Sequence, residues 1–335
     1  MRKVLIFIGS RANYGRLKSV IKAVKEHPKL KLQLVVGASA LQCDIKYSPD
    51  ATIQCLIDGD NVEAMAITTG VLMTQLPNIF DKLKPDIVLV HGDRYELLAV
   101  AATAAYMNIP LAHTEGGETT GTIDEKVRHM ISQAADIHFP VTQDAAKKLI
   151  YMGAKQIHVV GSTALDSIAN IDLTNNRNEP YIVILHHSNT TDPEDIQPLI
   201  KAINQIDLHK AWVNPNVDAG SKQILKLAHQ QNAEFVKNLP PEEYARLINN
   251  CKCLAGNTSS GIKEGAFLGV PYVCIGKRQE NRERGNNAIF VDYDTEKIVK
   301  AINKQVQHGK YKPDYRFGDG TAAQKIVKIL SEVEL

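Results

Sequence analysis

At 335 residues the chain is longer than one ordinary hydrophobic core supports, and two domains of roughly 100 to 200 residues each are expected. Lys plus Arg number 39 against 37 Asp plus Glu, a formal charge of +2, so no global field draws the protein to nucleic acid or to a membrane surface, and neither partner is expected. An anionic ligand must then be held by a local site.

The first apolar run, Val4 to Ile8, stops at Gly9 with no leader cleavage site behind it and reads as a buried strand. No apolar stretch approaches the roughly 18 residues that span a bilayer, so a cytoplasmic location is expected. Short apolar runs follow in chain order: KVLIFIG (3–9), KLQLVVG (31–37), DIVLVHG (86–92), PLAHTE (110–115), DIHFPVT (136–142) and IHVVG (157–161). They alternate with segments of helical period such as RLKSVIKAVKEH and ELLAVAATAAYM. That rhythm predicts a parallel sheet covered by helices, whose strands end in Gly or polar residues at the carboxyl edge where open α/β sheets bind ligands.

The polar, Asn-rich stretch 172–180, DLTNNRNEP, is read as a linker between a first domain, 1–171, and a second, 181–320. The alternation then restarts with YIVILHH (181–187), AWVNP (211–215), EFVKNL (234–239), KCLAGN (252–257) and PYVCIG (271–276). Residues 321–335 read as a last helix that can cap either half, and docking on the N-terminal domain is expected. Two such halves predict an interdomain cleft, a preferred place for small molecules. Cys251 and Cys253 form a C-x-C without the further Cys or His that a zinc site needs, and they are read as core thiols of a strand.

The chemistry gathers at strand ends. The turn GSRANYG (9–15) lacks the G-x-G-x-x-G spacing of a dinucleotide site, but sets Arg11 where a guanidinium can meet phosphate. In HGDRYE (91–96), Asp93 and Arg94 emerge at the sheet edge, and Asp93 also stands where a helix N-cap belongs. The next strand delivers Glu115 to a comparable place, and in HTEGGETTGTIDEKVRH (113–129) Asp124 starts a helix carrying Arg128 one turn later. Neither the H-E-x-x-H nor the calcium-loop template fits this stretch, and no metal and no cofactor are expected.

Together HGDRYE, HTEGGETTGTIDEKVRH, NPNVDAGSK (214–222), GNTSSGIKEGAFLGVP (256–271) and IGKRQENRERGNN (275–287) resemble the hydrolysing UDP-N-acetylglucosamine 2-epimerases of sialic acid biosynthesis. The segment GGETTGTIDEKVRH separates these from their non-hydrolysing sister family. The resemblance implies a glycosyltransferase-B-like fold of two Rossmann-like domains, and conversion of UDP-GlcNAc and water to ManNAc and UDP through a 2-acetamidoglucal. Such a route needs a carboxylate to take H2, an acid to return a proton to C2, and cations around the diphosphate.

By the resemblance Asp93, Glu115 and Asp124 supply the acid and base groups, joined by His187 at the end of YIVILHH. Arg94, Asn216, Ser221, Thr258, Ser259 and Arg278 are expected to contact the nucleotide sugar, with Glu264 on the ribose. Arg128 is expected to orient Asp124, and His186 is a weaker competitor of His187. The chain has RANYG where the family commonly has R-A-D-Y-S, and residues 38–60 read as a shortened loop. A UDP-diacetamido sugar or GDP-GlcNAc, as in legionaminic acid pathways, is the alternative substrate; a transferase of the same fold and a non-catalytic sugar-nucleotide binder are the other readings. A homo-oligomer is expected.

Overall fold

The structure, a computed structural model, describes residues 1–59, 61–120, 123–175, 177–189, 194–215, 220–237 and 239–335. Met1–Glu118, Asp124–Ser167 and Gly318–Leu335 make up one compact unit, and Ile168–Phe317 form the body of a second.

In the first unit the elements run β1 (Arg2–Ile8), α1 (Arg11–Glu26), β2 (Leu30–Gly37), β3 (Ala51–Ile53), α2 (Val62–Leu83), β4 (Ile87–His91), α3 (Tyr95–Tyr106), β5 (Leu111–Thr114), α4 (Ile123–Ala134), β6 (Ile137–Phe139), α5 (Gln143–Tyr151), β7 (Gln156–Ile157) and α6 (Thr163–Asp166). The strands form a parallel sheet in the order β3-β2-β1-β4-β5-β6-β7. β4 is buried along its whole length, as a continuous apolar run covered on both faces should be. α1 starts where the Ser10 hydroxyl accepts the Asn13 N–H at 3.2 Å, and it buries the stripe Leu17, Val20, Ile21 and Val24.

In the second unit β8 (Tyr181–Leu185), α7 (Gln197–Asn204), β9 (His209–Val213), α8 (Ser221–Ala228), β10 (Glu234–Val236), α9 (Pro241–Asn249), β11 (Cys253–Gly256), α10 (Lys263–Leu268), β12 (Tyr272–Ile275), β13 (Ala288–Val291) and α11 (Thr295–His308) follow one another. Their sheet is again parallel, ordered β10-β9-β8-β11-β12-β13. α12 (Ala322–Glu332) closes the chain against α1 and α6 of the first unit. The Asp166 carboxylate accepts the Ala322 and Ala323 N–H groups at 2.9 and 2.7 Å, so a side chain of α6 caps α12.

Both units are Rossmann-like, and each sheet reverses its winding at one point, between β1 and β4 in the first and between β8 and β11 in the second. Loops after those four strands diverge there, which opens the crevice that ligands use in such sheets. They carry Asp93, His187 and Thr258, and Arg11 opens the helix that follows β1.

Two expectations are corrected: the loop read over 38–60 contains the edge strand β3, and the run 157–161 contributes strand only at Ile157. NNAIFVDY, on which no expectation is placed, contains the edge strand β13. Cys251 lies just before β11 rather than in it; both it and Cys253 are buried free thiols, and burial pushes Cys251 up to about 12.

Candidate active site

In the first unit the site is built on β4 and β5, which pair in register so that His91 faces Thr114. Asp93 follows one strand and Glu115 the other, so both carboxylates leave the same edge of the sheet. Asp93 forms an ion pair with Arg128 of α4, whose guanidinium is almost wholly buried and also donates to the Glu118 carbonyl at 2.8 Å. Burial alone would strip charge from Arg128, but Asp93, Glu118 and Asp124 together outweigh it and hold its pKa above the ordinary value. Arg128 therefore ties to Asp93 across the fold, with Asp124 in the first turn of α4 a lesser electrostatic neighbour. Asp93 thus joins Asp124 as an electrostatic partner of Arg128.

The turn bearing Asp93 is fixed from behind. His113 of β5 has no exposed surface, and its Nε2 donates to the Gly92 carbonyl at 2.8 Å while Nδ1 meets the Ser132 hydroxyl at 3.1 Å. Burial drives its pKa down to about 3, so the ring is neutral near pH 7 and acts as a strut.

Glu115 adopts φ +62°, a left-handed conformation that a side chain with a Cβ disfavours. Such outliers persist where the surroundings over-determine them, and they cluster at functional sites. Here the Glu115 N–H donates to the Phe139 carbonyl at 3.0 Å, and its Oε1 accepts the Ser162 hydroxyl at 2.6 Å. Its Oε2 lies 4.0 Å from Nε2 of His91, whose Nδ1 is 2.8 Å from the Thr114 hydroxyl. Ser162 and His91 were not singled out from the sequence; a His before Gly-Asp at a strand end, and Gly-Ser-Thr after HVV, are the signals that could have marked them.

Arg94 is bound to its own neighbour. Its Nε and Nη2 meet the Glu96 carboxylate at 3.1 Å, and that carboxylate is fully buried, so Arg94 is partly committed before any ligand arrives. Arg11 is exposed at the first turn of α1. Asn13 is buried, with its side chain accepting from the Gly9 N–H at 3.4 Å and donating to the His91 carbonyl at 3.3 Å. It thus joins the ends of β1 and β4, a bridge that the family aspartate in its ionised form could make on only one side.

In the second unit Asn257, with no exposed surface, is the hub. Its side chain accepts the His187 N–H at 2.7 Å and donates to the His187 carbonyl at 2.9 Å, while its own carbonyl accepts Arg278 Nη1 at 3.2 Å. His187, Thr258 and Arg278 are thereby brought together. Burial, then Arg278 and His186, keep His187 well below the ordinary imidazole range, so it is neutral near pH 7. His186 faces the Tyr293 hydroxyl at 3.0 Å and is pushed down to about 3 by burial and Arg278.

The Thr258 hydroxyl accepts the Ser260 N–H at 3.3 Å as a cap of the 3-10 turn Ser259–Gly261, so capping occupies one of its lone pairs; Ser259 is half-buried. Glu264 sits in the first turn of α10 and is nearly buried. Ser221 opens α8 and is buried, and a Cβ on the preceding Gly220 would lie 3.4 Å from Ser188, next to His187. Asn216 lies outside the described residues. Among the described residues no group of three or more His, Cys, Asp or Glu could hold a metal ion, and no helix is long and apolar enough to cross a membrane.

Two parallel sheets with polar groups at the carboxyl edge of each winding reversal define an α/β protein of two Rossmann-like domains. A sequence profile described as UDP-N-acetylglucosamine 2-epimerase matches residues 22–331, and the chain belongs to that family. It is similar to a UDP-N-acetylglucosamine 2-epimerase of Neisseria meningitidis serogroup B, 30% identical over 100% of this chain and 96% of the relative. It is also similar to a hydrolysing UDP-N,N'-diacetylbacillosamine 2-epimerase of Legionella pneumophila, 29% identical over 100% and 97%. The crystal structure of a Neisseria meningitidis UDP-GlcNAc 2-epimerase bound to UDP-GlcNAc shares the fold, with a TM-score of 0.82 at 18% identity over 99% of this chain and all of that one.

Proposed function

We propose that the protein is a hydrolysing epimerase that converts UDP-N-acetylglucosamine and water to N-acetylmannosamine and UDP. The observation that carries this reading is Glu115, a carboxylate held at φ +62° just after β5, beside an Asp93–Arg128 ion pair. H2 of the sugar is not beside a carbonyl, so a base removes it only as the C1–O bond breaks and positive charge at C1 acidifies it. Glu115, Asp93 and Asp124 share the proton transfers and the stabilisation of that charge. Arg11, Arg278 and the turn at Thr258 and Ser259 take the diphosphate, Glu264 takes the ribose, and His187, Asn216 and Ser221 complete the nucleotide-sugar contacts.

Incubation with UDP-GlcNAc in heavy water is expected to release UDP and an N-acetylmannosamine carrying deuterium at C2. UDP release without label at C2 would overturn the elimination route, and formation of UDP-ManNAc without UDP release would make the enzyme non-hydrolysing. A second substrate, a UDP-diacetamido sugar, is favoured by the likeness to the Legionella relative, and running it beside UDP-GlcNAc decides between them.

A further inference from the structure

We propose that the first unit carries a second ligand site, a pocket at the amino edge of its sheet that binds an uncharged, polyhydroxylated molecule of monosaccharide size. It lies where α4 leads into β6 and α5 leads into β7, at the opposite end of the strands from Asp93 and Glu115.

Size and chemistry set the ligand class. The pocket holds about 280 Å³, just under the roughly 300 to 1,000 Å³ of ordinary ligand sites, so it suits a single sugar ring and is too small for a nucleotide sugar. Among the described residues its wall carries one carboxylate, Asp136, and one ammonium, Lys155, with the amides of Gln133 and Gln156 and the apolar side chains of Leu149 and Met152. One charge of each sign favours a ligand without net charge, and a wall of carboxylate, amide and ammonium groups calls for hydroxyls, which both donate and accept. Two of these groups are held in place from behind. Asp136 Oδ2 accepts the Leu111 N–H at 2.9 Å, and Gln133 Nε2 donates to the Met152 carbonyl at 2.9 Å.

His138 is the residue that the fold leaves unanswered. It lines the pocket, only 1% of it is exposed, and its Nδ1 has no hydrogen-bond partner among the described residues. Nearly all buried polar atoms in folded proteins are paired, so an imidazole nitrogen left over in a pocket-lining side chain marks a place for a ligand hydroxyl. A hydroxyl suits either tautomer, as donor to a bare nitrogen or as acceptor from N–H. Burial, outweighing Asp136 and the Ala135 backbone, holds the ring below the ordinary imidazole range, so it adds no charge near pH 7.

The pocket is also linked to the candidate active site. Ser132 lines it and meets His113 Nδ1 at 3.1 Å, and His113 is the cross-strand partner of His138. His113 Nε2 donates to the Gly92 carbonyl, so Nδ1 of the neutral ring is bare and takes the Ser132 hydroxyl proton, while the Ser132 oxygen keeps lone pairs with which to accept. Ser132, His113 and Gly92 thus join the pocket to the turn that carries Asp93.

Nitrogen-15 NMR of the histidine rings tests the site, with N-acetylmannosamine, the sugar that the proposed reaction releases, N-acetylglucosamine and mannitol as probes. It requires no turnover, so this site and the epimerase reading stand or fall separately. At least one probe is expected to shift the His138 signals saturably. A154W, which fills the pocket from a lining alanine, is expected to abolish that shift with its circular dichroism unchanged. S132A is expected to keep the His138 shift and to lose the one that accompanies it at His113. No saturable shift at His138 with any of the three probes would overturn the proposal, as would a shift that persists in A154W; a His113 shift that survives in S132A would overturn the link to Asp93. If A154W does not fold, D136N takes its place, with the affinity for the tightest probe expected to fall about tenfold and an unchanged affinity counting against the site.

Discussion

Arg128 is a buried cation whose strongest partner, Asp93, lies 35 residues away. Removing one member of a buried ion pair leaves the other uncompensated and typically costs about 3 to 5 kcal/mol. R128L is therefore expected to lose stability on that scale in urea titration, and D93N/R128L to regain part of it without regaining activity, a non-additive cycle. At the neighbouring strand N13D, which places a carboxylate against the His91 carbonyl, should cost about 1 to 3 kcal/mol. These partnerships were hidden in the sequence for one reason. The positions of Asp93 and Glu115 are legible because strand ends are marked by local pattern, but the contacts that set their chemistry join residues 23 to 47 apart and leave no trace in spacing. Helical spacing pointed Arg128 at Asp124, but its ion pair with Asp93 comes from tertiary packing and could not be read from spacing.

The central strands were legible because a strand buried on both faces must be a continuous apolar run, as in KVLIFI and DIVLV. β3 and β13 escaped because edge strands of 3 and 4 residues, half-buried in β13, carry little pattern. The turn after Glu115 gives a test of the elements themselves. Gly117 has φ +80°, and a Cβ there would overlap the Ala145 carbonyl of α5, whereas Gly153 has φ +89° with open space around it. G153A should cost about 1 to 2 kcal/mol from backbone conformation alone. G117A should cost clearly more, because α5 must also move, and comparison of the two thermal unfolding midpoints checks this. D166A, which uncaps α12, should cost about 0.5 to 2 kcal/mol and raise amide exchange in that helix first.

For the whole molecule the buried histidines set the acid limit. His113 and His186 both have pKa values pushed down to about 3, against about 6.5 in an unfolded chain. Between those values the unfolded state binds more protons than the native state, so stability is full above about pH 6.5 and falls as the pH drops toward 3. Each histidine contributes a slope of up to about 1.4 kcal/mol per pH unit in that window. Urea titrations at pH 7, 6, 5 and 4 should show the midpoint falling, and H113N should reduce the slope by the share of one proton.

The left-handed backbone at Glu115 also bears on how the protein would evolve in the laboratory. Asparagine and glycine tolerate that conformation better than glutamate does, so selection for heat resistance alone should enrich E115N or E115G and deliver sturdier, inactive variants. Selection for turnover should hold the glutamate in place, making position 115 a point where durability and catalysis are traded against each other.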